Sequence, residues 1–223
     1  MEILKTENLE KIYDDDGVPV HALRGINLTI NKGEYLVIAG PSGSGKTTLL
    51  NLLGTLDKPT KGKIYFENKD ITNKKKRELS DFRLHKFGFI FQAYNLIPVL
   101  TALENIEFTM MLLGIPEKER RRRAFNLMDE LGIKELANKR PNDMSGGQQQ
   151  RVAAVRAIVN NPAVVLADEP TANLDSKTGD ILLDMMKKMN KEKNITFIFS
   201  SHDKQVMDRA ERLLILKDGL IEE

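Results

Sequence analysis

Eight residues, Gly40 to Thr47, read GPSGSGKT and satisfy the spacing G-x-x-x-x-G-K-[ST]. Tyr35 to Ala39 in front of them is an apolar run of strand length, and Thr47 to Leu53 behind them reads as a helix. A strand passing through a glycine loop into a helix N-terminus is a site for a polyphosphate. Successive backbone N–H groups turn inward, and the positive end of the helix dipole adds to them. Gly40, Gly43 and Gly45 supply the conformational freedom, with Pro41, Ser42 and Ser44 completing the loop and Thr48 following it. Lys46 puts a full positive charge on the β- and γ-phosphates, and the Thr47 hydroxyl is placed to ligate Mg²⁺.

Two further groups carry chemistry. Ala163 to Ala167 is an uninterrupted apolar run, as a buried parallel strand should be, and it ends in Asp168-Glu169. Carboxylates at the end of a buried strand need a cation, and Mg²⁺ meets that need. Asp168 then holds the metal, and Glu169 orients and deprotonates an attacking water. A third apolar strand, Ile195 to Ser200, delivers His202 to the same edge, where its Nε2 can reach a γ-phosphate. Alone, His202 would read as a capping or core residue.

Other positions keep two readings at this level. Ser145-Gly146-Gly147-Gln148 precedes an amphipathic Val152 to Val159 and makes either a second anion site or a plain N-cap. Tyr13, at a strand end ahead of the phosphate loop, can stack on a nucleobase or sit at the edge of the core.

The elements that must position these residues follow from the chain's patterning. With 223 residues, the chain is long enough for one large α/β domain with an inserted lobe. Its 34 basic and 32 acidic residues give a formal charge of +2, too balanced to argue for nucleic acid. The absence of cysteine excludes disulfides, thiolate metal sites and cysteine nucleophiles, and no apolar run is long enough to span a bilayer. Residues 1 to 34 read as antiparallel β structure with a turn at Asp14 to Gly17 and an alternating Ile26, Leu28, Ile30. Phe87 to Phe91 is a strand ending at Gln92. From about residue 95 to 155 the signals are helical, broken at Gly114-Ile115-Pro116 and closed at Gly132. The basic runs Lys74 to Arg77 and Arg120 to Arg123 read as solvated helix surface, and Leu213 to Ile221 reads as a hairpin.

In order and spacing this set of motifs resembles the ATP-binding subunits of ABC transporters: GPSGSGKT at 40–47, Gln92 after a strand, SGGQQQR at 145–151, VVLADEPTANLD at 164–175, and His202. The resemblance covers essentially the whole chain. It implies a P-loop NTPase (RecA-like) α/β core over 1–94 and 156–223, with an N-terminal antiparallel β part and a helical subdomain at 95–155. It also implies an ATPase requiring ATP and Mg²⁺, in which two copies sandwich two nucleotides. Ser145, Gly146 and Gly147, with Gln148, would then bind the γ-phosphate held by the opposite subunit, and Asp175 would communicate across the dimer. Gln92 would contact Mg²⁺ or the water and sense a membrane permease, placing the chain in the cytoplasm on the inner face of the membrane. Tyr13 matches the family's adenine-stacking aromatic. Met144 departs from the usual leucine, a swap that conserves volume.

Within the family, TLDKPTKG, FGFIFQAYNLIPVLTALENI and RPNDMSGGQQQRVAAVRA resemble the LolD/MacB-like branch of lipoprotein release and macrolide export, with amino-acid importers and the cell-division ATPase as neighbouring branches. A P-loop GTPase would need Asn-Lys-x-Asp, and Asn68-Lys69-Asp70 lacks the spacer. ABC ATPases that remodel DNA carry long or zinc-bearing insertions, and those of translation fuse two such units.

Overall fold

Alternation of apolar and polar residues at the start of the chain builds two long strands in the computed structural model, which describes residues 1–15 and 17–222. β1 (Glu2–Asp15) and β2 (Val18–Asn31) pair antiparallel, with Leu4, Leu9, Ile26, Leu28 and Ile30 buried. The turn expected at Asp14 to Gly17 includes Asp16, which lies outside the described residues; across it the Gly17 N–H donates to Asp14 Oδ1 at 2.9 Å.

After β3 (Tyr35–Ala39) and α1 (Lys46–Leu53), the chain returns to the antiparallel sheet with β4 (Lys61–Phe66) and β5 (Lys69–Asp70). It then forms α2 (Lys76–Lys86) and β6 (Phe87–Ile90), followed by α3 (Ala102–Leu112), α4 (Glu117–Glu130) and α5 (Gly146–Ile158). The last third alternates β7 (Val164–Asp168), α6 (Ser176–Lys193), β8 (Thr196–Ser200), α7 (Lys204–Asp208), β9 (Arg212–Lys217) and β10 (Leu220–Glu222). Two sheets result, ordered β2-β1-β4-β5 and β10-β9-β3-β8-β7-β6. In the second, β9, β3, β8, β7 and β6 run parallel and β10 is an antiparallel edge.

The all-apolar strands of that sheet are explained by its two covered faces. Leu36, Ile38, Val164, Leu166 and Ile198 point into a core shared with α1 and the antiparallel sheet. Tyr35, Val37, Val165, Ala167, Phe197 and Phe199 point the other way, into a core shared with α3 to α6. Parallel pairing brings the C-terminal ends of β3, β8, β7 and β6 side by side, so the loops bearing Lys46, His202, Glu169 and Gln92 emerge along one edge.

Two local expectations change. Val152 to Val159 is not amphipathic, because every residue of it except Arg156 is buried. α5 is wedged between α3 and β6, which leaves it no solvated face. The arginine run on α4 is not uniformly solvated: Arg120 turns inward, donating to the Ile115 carbonyl at 2.8 Å and lying 3.9 Å from Glu107, while Arg121 and Arg122 are exposed.

α5 crosses β6 at Gly88, where an added Cβ would lie 2.1 Å from the Ala157 carbonyl oxygen. Both partners there are backbone and cannot rotate away. Gly88→Ala is therefore expected to destabilise the fold by about 2 kcal/mol, read as a lower urea midpoint at unchanged slope; an unchanged midpoint would mean that α5 is not held against β6 at this point.

Candidate functional site

The loop between β3 and α1 is shaped for an anion. Gly40, Gly43 and Gly45 have φ of 153°, 79° and 103°, and a Cβ on Gly45 would meet the Ala22 carbonyl at 2.5 Å. α1 starts with no side-chain cap, so its first N–H groups remain available. Lys46 is 9% exposed, and among the described residues its Nζ donates only to the Gly40 and Pro41 carbonyls, both at 2.8 Å. Among the described residues no carboxylate lies within ion-pair distance of it. Ser44 Oγ is buried without a hydrogen-bond partner. A buried cation without a counter-ion, an uncapped helix start and an orphaned hydroxyl fit a polyphosphate. The C-terminal hairpin braces this loop, with the Gly219 N–H donating to the Ser44 carbonyl at 3.1 Å.

Thr47, in the first turn of α1, meets Asp168 at the end of β7, Thr47 Oγ1 donating to the two carboxylate oxygens at 3.2 and 3.0 Å. A hydroxyl and a carboxylate are the hard oxygen donors that suit Mg²⁺, which takes few protein ligands and completes its shell with water and phosphate. Among the described residues there is no cluster of three or more His, Cys, Asp or Glu that would build an all-protein cage.

Glu169 follows in a left-handed conformation at φ 46°. Its Oε1 accepts from His202 Nδ1 at 2.7 Å and its Oε2 from Ser201 Oγ at 3.1 Å, while its N–H donates to the Ser200 carbonyl at 2.9 Å. The pairing of Asp168 with Ser200 in the β7–β8 register puts these groups next to each other. With Nδ1 committed to Glu169, Nε2 of the exposed His202 ring is the nitrogen left for a ligand.

Gln92 is exposed in the loop after β6, which Asn173 and Arg156 tie down. Asn173 Nδ2 donates to the Gln92 carbonyl at 3.1 Å, and the Arg156 guanidinium of α5 donates to the Tyr94 and Asn95 carbonyls at 2.8 and 2.5 Å. Burial pushes the Arg156 pKa down from its ordinary value.

A cleft of about 620 Å³ gathers Tyr13, Gly40 to Gly43, Gly45 to Thr48, Gln92, Asp168, Glu169 and His202 in its wall. Ser44 lies just behind it. Val20, His21 and Ala22 of β2 complete the wall; sequence reasoning missed them because only the packing of the antiparallel sheet brings them there.

Ser145, Gly146, Gly147 and Gln148 are not part of this cleft. They form the start of α5 in a capping box: the Gln148 N–H donates to Ser145 Oγ at 3.3 Å, and Gln148 Oε1 accepts from the Ser145 N–H at 3.0 Å. Asp175 caps α6 by accepting from the Thr178 N–H and Oγ1 at 3.0 and 2.6 Å, and these bonds hold its carboxyl below the usual range. Met144 is buried, as its apolar reading requires.

Residues 23–172 match the family described as ABC transporter. An uncharacterized ABC transporter ATP-binding protein of Thermotoga maritima is 46% identical over 220 residues, covering 99% of this chain and 94% of that protein. The macrolide export ATP-binding/permease protein MacB of Nitrobacter winogradskyi is 43% identical over 219 residues, covering 98% of this chain but 34% of MacB. Among solved structures, the fold superposes on the cassette MJ0796 of Methanocaldococcus jannaschii with a TM-score of 0.95 at 44% identity, covering 99% of this chain and 97% of that one. Agreement is the same for that dimeric structure and for the dimeric structure of its post-hydrolysis state bound to ADP and Pi.

Removing the Lys46 ammonium should relieve an uncompensated charge and remove a phosphate ligand together. Lys46→Met is expected to melt at or above the wild-type temperature without nucleotide and to lose the stabilisation of about 2.7 kcal/mol that saturation a hundredfold above Kd gives the wild type. A nucleotide-dependent shift as large as the wild type's would remove Lys46 from the phosphate site.

Proposed function

From the premise that this chain belongs to the ABC transporter ATP-binding family and is an ATPase of it, we propose that it drives an export or release transporter through ATP-dependent dimerisation. The observation that carries the reading is the division of its phosphate-binding groups. Lys46, Thr47, Asp168, Glu169 and His202 share one cleft, while the Ser145 to Gln148 helix start of the same chain lies outside it. A second copy, facing the first, brings that helix start to the cleft and completes the site.

In this reading the backbone of Gly40 to Gly45 cradles the phosphates and Lys46 holds the β- and γ-groups. Thr47 and Asp168, with Gln92, would hold Mg²⁺, which when bound neutralises charge on those groups. Glu169 takes a proton from the attacking water, oriented by the His202 and Ser201 bonds that fix both of its oxygens. His202 Nε2 and the partner copy's Ser145, Gly146 and Gly147 meet the γ-phosphate. Once the cleaved phosphate leaves the site, that bridge between the two copies is lost and they separate. Tyr13 stacks on the base, and Asp175 lies at the approach of the second copy.

A permease docks in the groove of about 720 Å³ between the core and the helical part, where Phe91, Phe108 and Leu112 face Leu56 and Arg77. Leu56 and Leu112 of its lining are exposed large apolar side chains, which supports this. Among the described residues no helix is long and apolar enough to cross a membrane. The groove wall includes Asn95 and Arg156, so a push there reaches both the Gln92 loop and α5. Likeness to MacB supports export, with the cargo site in the permease.

Glu169→Gln is expected to lower kcat by a factor of about 10² to 10⁴ while keeping ATP-driven dimers visible by size-exclusion chromatography. Hydrolysis at the wild-type rate would sink the role of Glu169, and loss of dimers would sink the shared site. Held in ATP and tagged, the same variant should retain from native membranes a permease with few spans and a large outer domain. Recovery of a many-span permease would point to an importer.

A further inference from the structure

Tyr13 is held by a pair of charged side chains that the nucleotide chemistry has not so far required. Lys11 and Tyr13 are two residues apart on β1, with an irregularity in the β1–β2 register between Lys11 and Ile12. The Lys11 ammonium lies 4.6 Å from the centre of the Tyr13 ring, and it forms an ion pair with Asp57 at 2.8 Å. Asp57 Oδ2 also accepts from the Tyr13 hydroxyl at 2.9 Å, and its Oδ1 accepts from the Lys58 N–H at 2.7 Å. The ring is thus fixed at its edge by Asp57 and over one face by Lys11. Tyr13 lines the phosphate cleft whereas Lys11 and Asp57 do not, so the ammonium sits behind the ring and leaves the cleft-side face free.

Asp57 also belongs to the segment that follows the phosphate-loop helix. The Leu56 and Asp57 N–H groups donate to the Asn51 carbonyl of α1 at 2.8 and 3.3 Å. Three residues on, Thr60 is laced to β1: its N–H donates to the Glu10 carbonyl at 2.8 Å and its Oγ1 accepts from the Ile12 N–H at 3.0 Å. The strand bearing the aromatic ring is thereby registered to the helix bearing Lys46. A base and a triphosphate are covalently joined, so the separation of their two binding surfaces decides whether both can be used together.

We infer that Lys11 and Asp57 are positioning residues for nucleotide recognition: they clamp the Tyr13 ring at a fixed orientation and distance from the phosphate loop. The inference rests on the reading of Tyr13 as the base platform. Burial alone would raise the Asp57 carboxyl, but hydrogen bonds from Lys11, the Lys58 N–H and Tyr13 outweigh it and hold Asp57 below its ordinary value. Burial and the bond to Asp57 push the Tyr13 hydroxyl up, which keeps it the donor. A cation behind the ring also draws its π-electrons away from the cleft side, favouring contact with an electron-rich purine face.

Titration calorimetry with Mg·ADP, and separately with Mg·pyrophosphate, tests this on the full chain, because pyrophosphate uses the loop without the platform. Tyr13→Ala is expected to weaken ADP about tenfold or more, and Lys11→Met and Asp57→Ala about three- to tenfold, with pyrophosphate unchanged in all three. Lys11→Arg should restore most of the loss, since a guanidinium both stacks on an aromatic ring and pairs with a carboxylate. In turnover assays the loss should appear in KM, with kcat retained. Wild-type ADP affinity in Lys11→Met and Asp57→Ala, alongside a weakened Tyr13→Ala, would overturn the clamp and leave the platform standing. Equal weakening of pyrophosphate would overturn it too, reducing the pair to general support of the fold. An unaffected Tyr13→Ala would remove the platform itself.

Discussion

A buried ammonium with no carboxylate within ion-pair distance among the described residues governs this molecule. Lys46 opens α1 just beyond the loop that follows β3, 9% exposed, and among the described residues its protein partners are two backbone carbonyls. Removing a cation from water costs several kcal/mol, and two neutral acceptors return only part of it. The fold tolerates the deficit because β3 is central in a sheet covered on both faces, where packing from two cores outweighs one strained position. A polyphosphate at this loop removes the deficit, so binding free energy and local stability are two aspects of one electrostatic fact.

The remaining chemistry is organised by distance from that charge. β8 lies beside β3 and β7 beside β8, all in parallel register, and they deliver His202, Ser201, Glu169 and Asp168 to the same edge. Both Glu169 oxygens are occupied by neighbours on the β8 side, which fixes the carboxylate before any substrate arrives. Its left-handed backbone is a local cost at the residue whose carboxylate meets Ser201 and His202. β6 adds Gln92 at the far side, and there the site meets the helical part of the chain.

That junction combines apolar packing with specific polar contacts. Gly88 lets α5 approach β6 to backbone contact, and Arg156 on α5 takes the two carbonyls that follow Ala93 in the Gln92 loop. Asn173, from the loop that leads to Asp175, takes the Gln92 carbonyl. The Gln92 loop is therefore joined to the Asn173 loop and to α5 by backbone carbonyls accepting from side chains. The apolar groove beside Asn95 and Arg156 opens onto the same junction.

Local chemistry was sufficient for the parts of this protein whose spacing is set within one turn or one strand end. GPSGSGKT, the Asp168-Glu169 pair after an apolar strand and the Ser145 to Gln148 capping box all act through neighbouring backbone, so residue type and order specify them, and with them the nucleotide chemistry and the α/β class. What depends on contacts between distant segments was decided only by the tertiary structure. Val152 to Val159 has the look of a half-exposed helix until β6 and α3 close over both sides of it. Arg120 is one of four arginines until Glu107 and the Ile115 carbonyl draw it inward. Lys11, Asp57 and the β2 wall of Val20 to Ala22 carry no signature, because their partners lie about ten to fifty residues away in the chain and meet only when the two sheets pack. Sequence order specifies groups that share a backbone; the meeting of groups that do not is specified by the two cores on either side of β3.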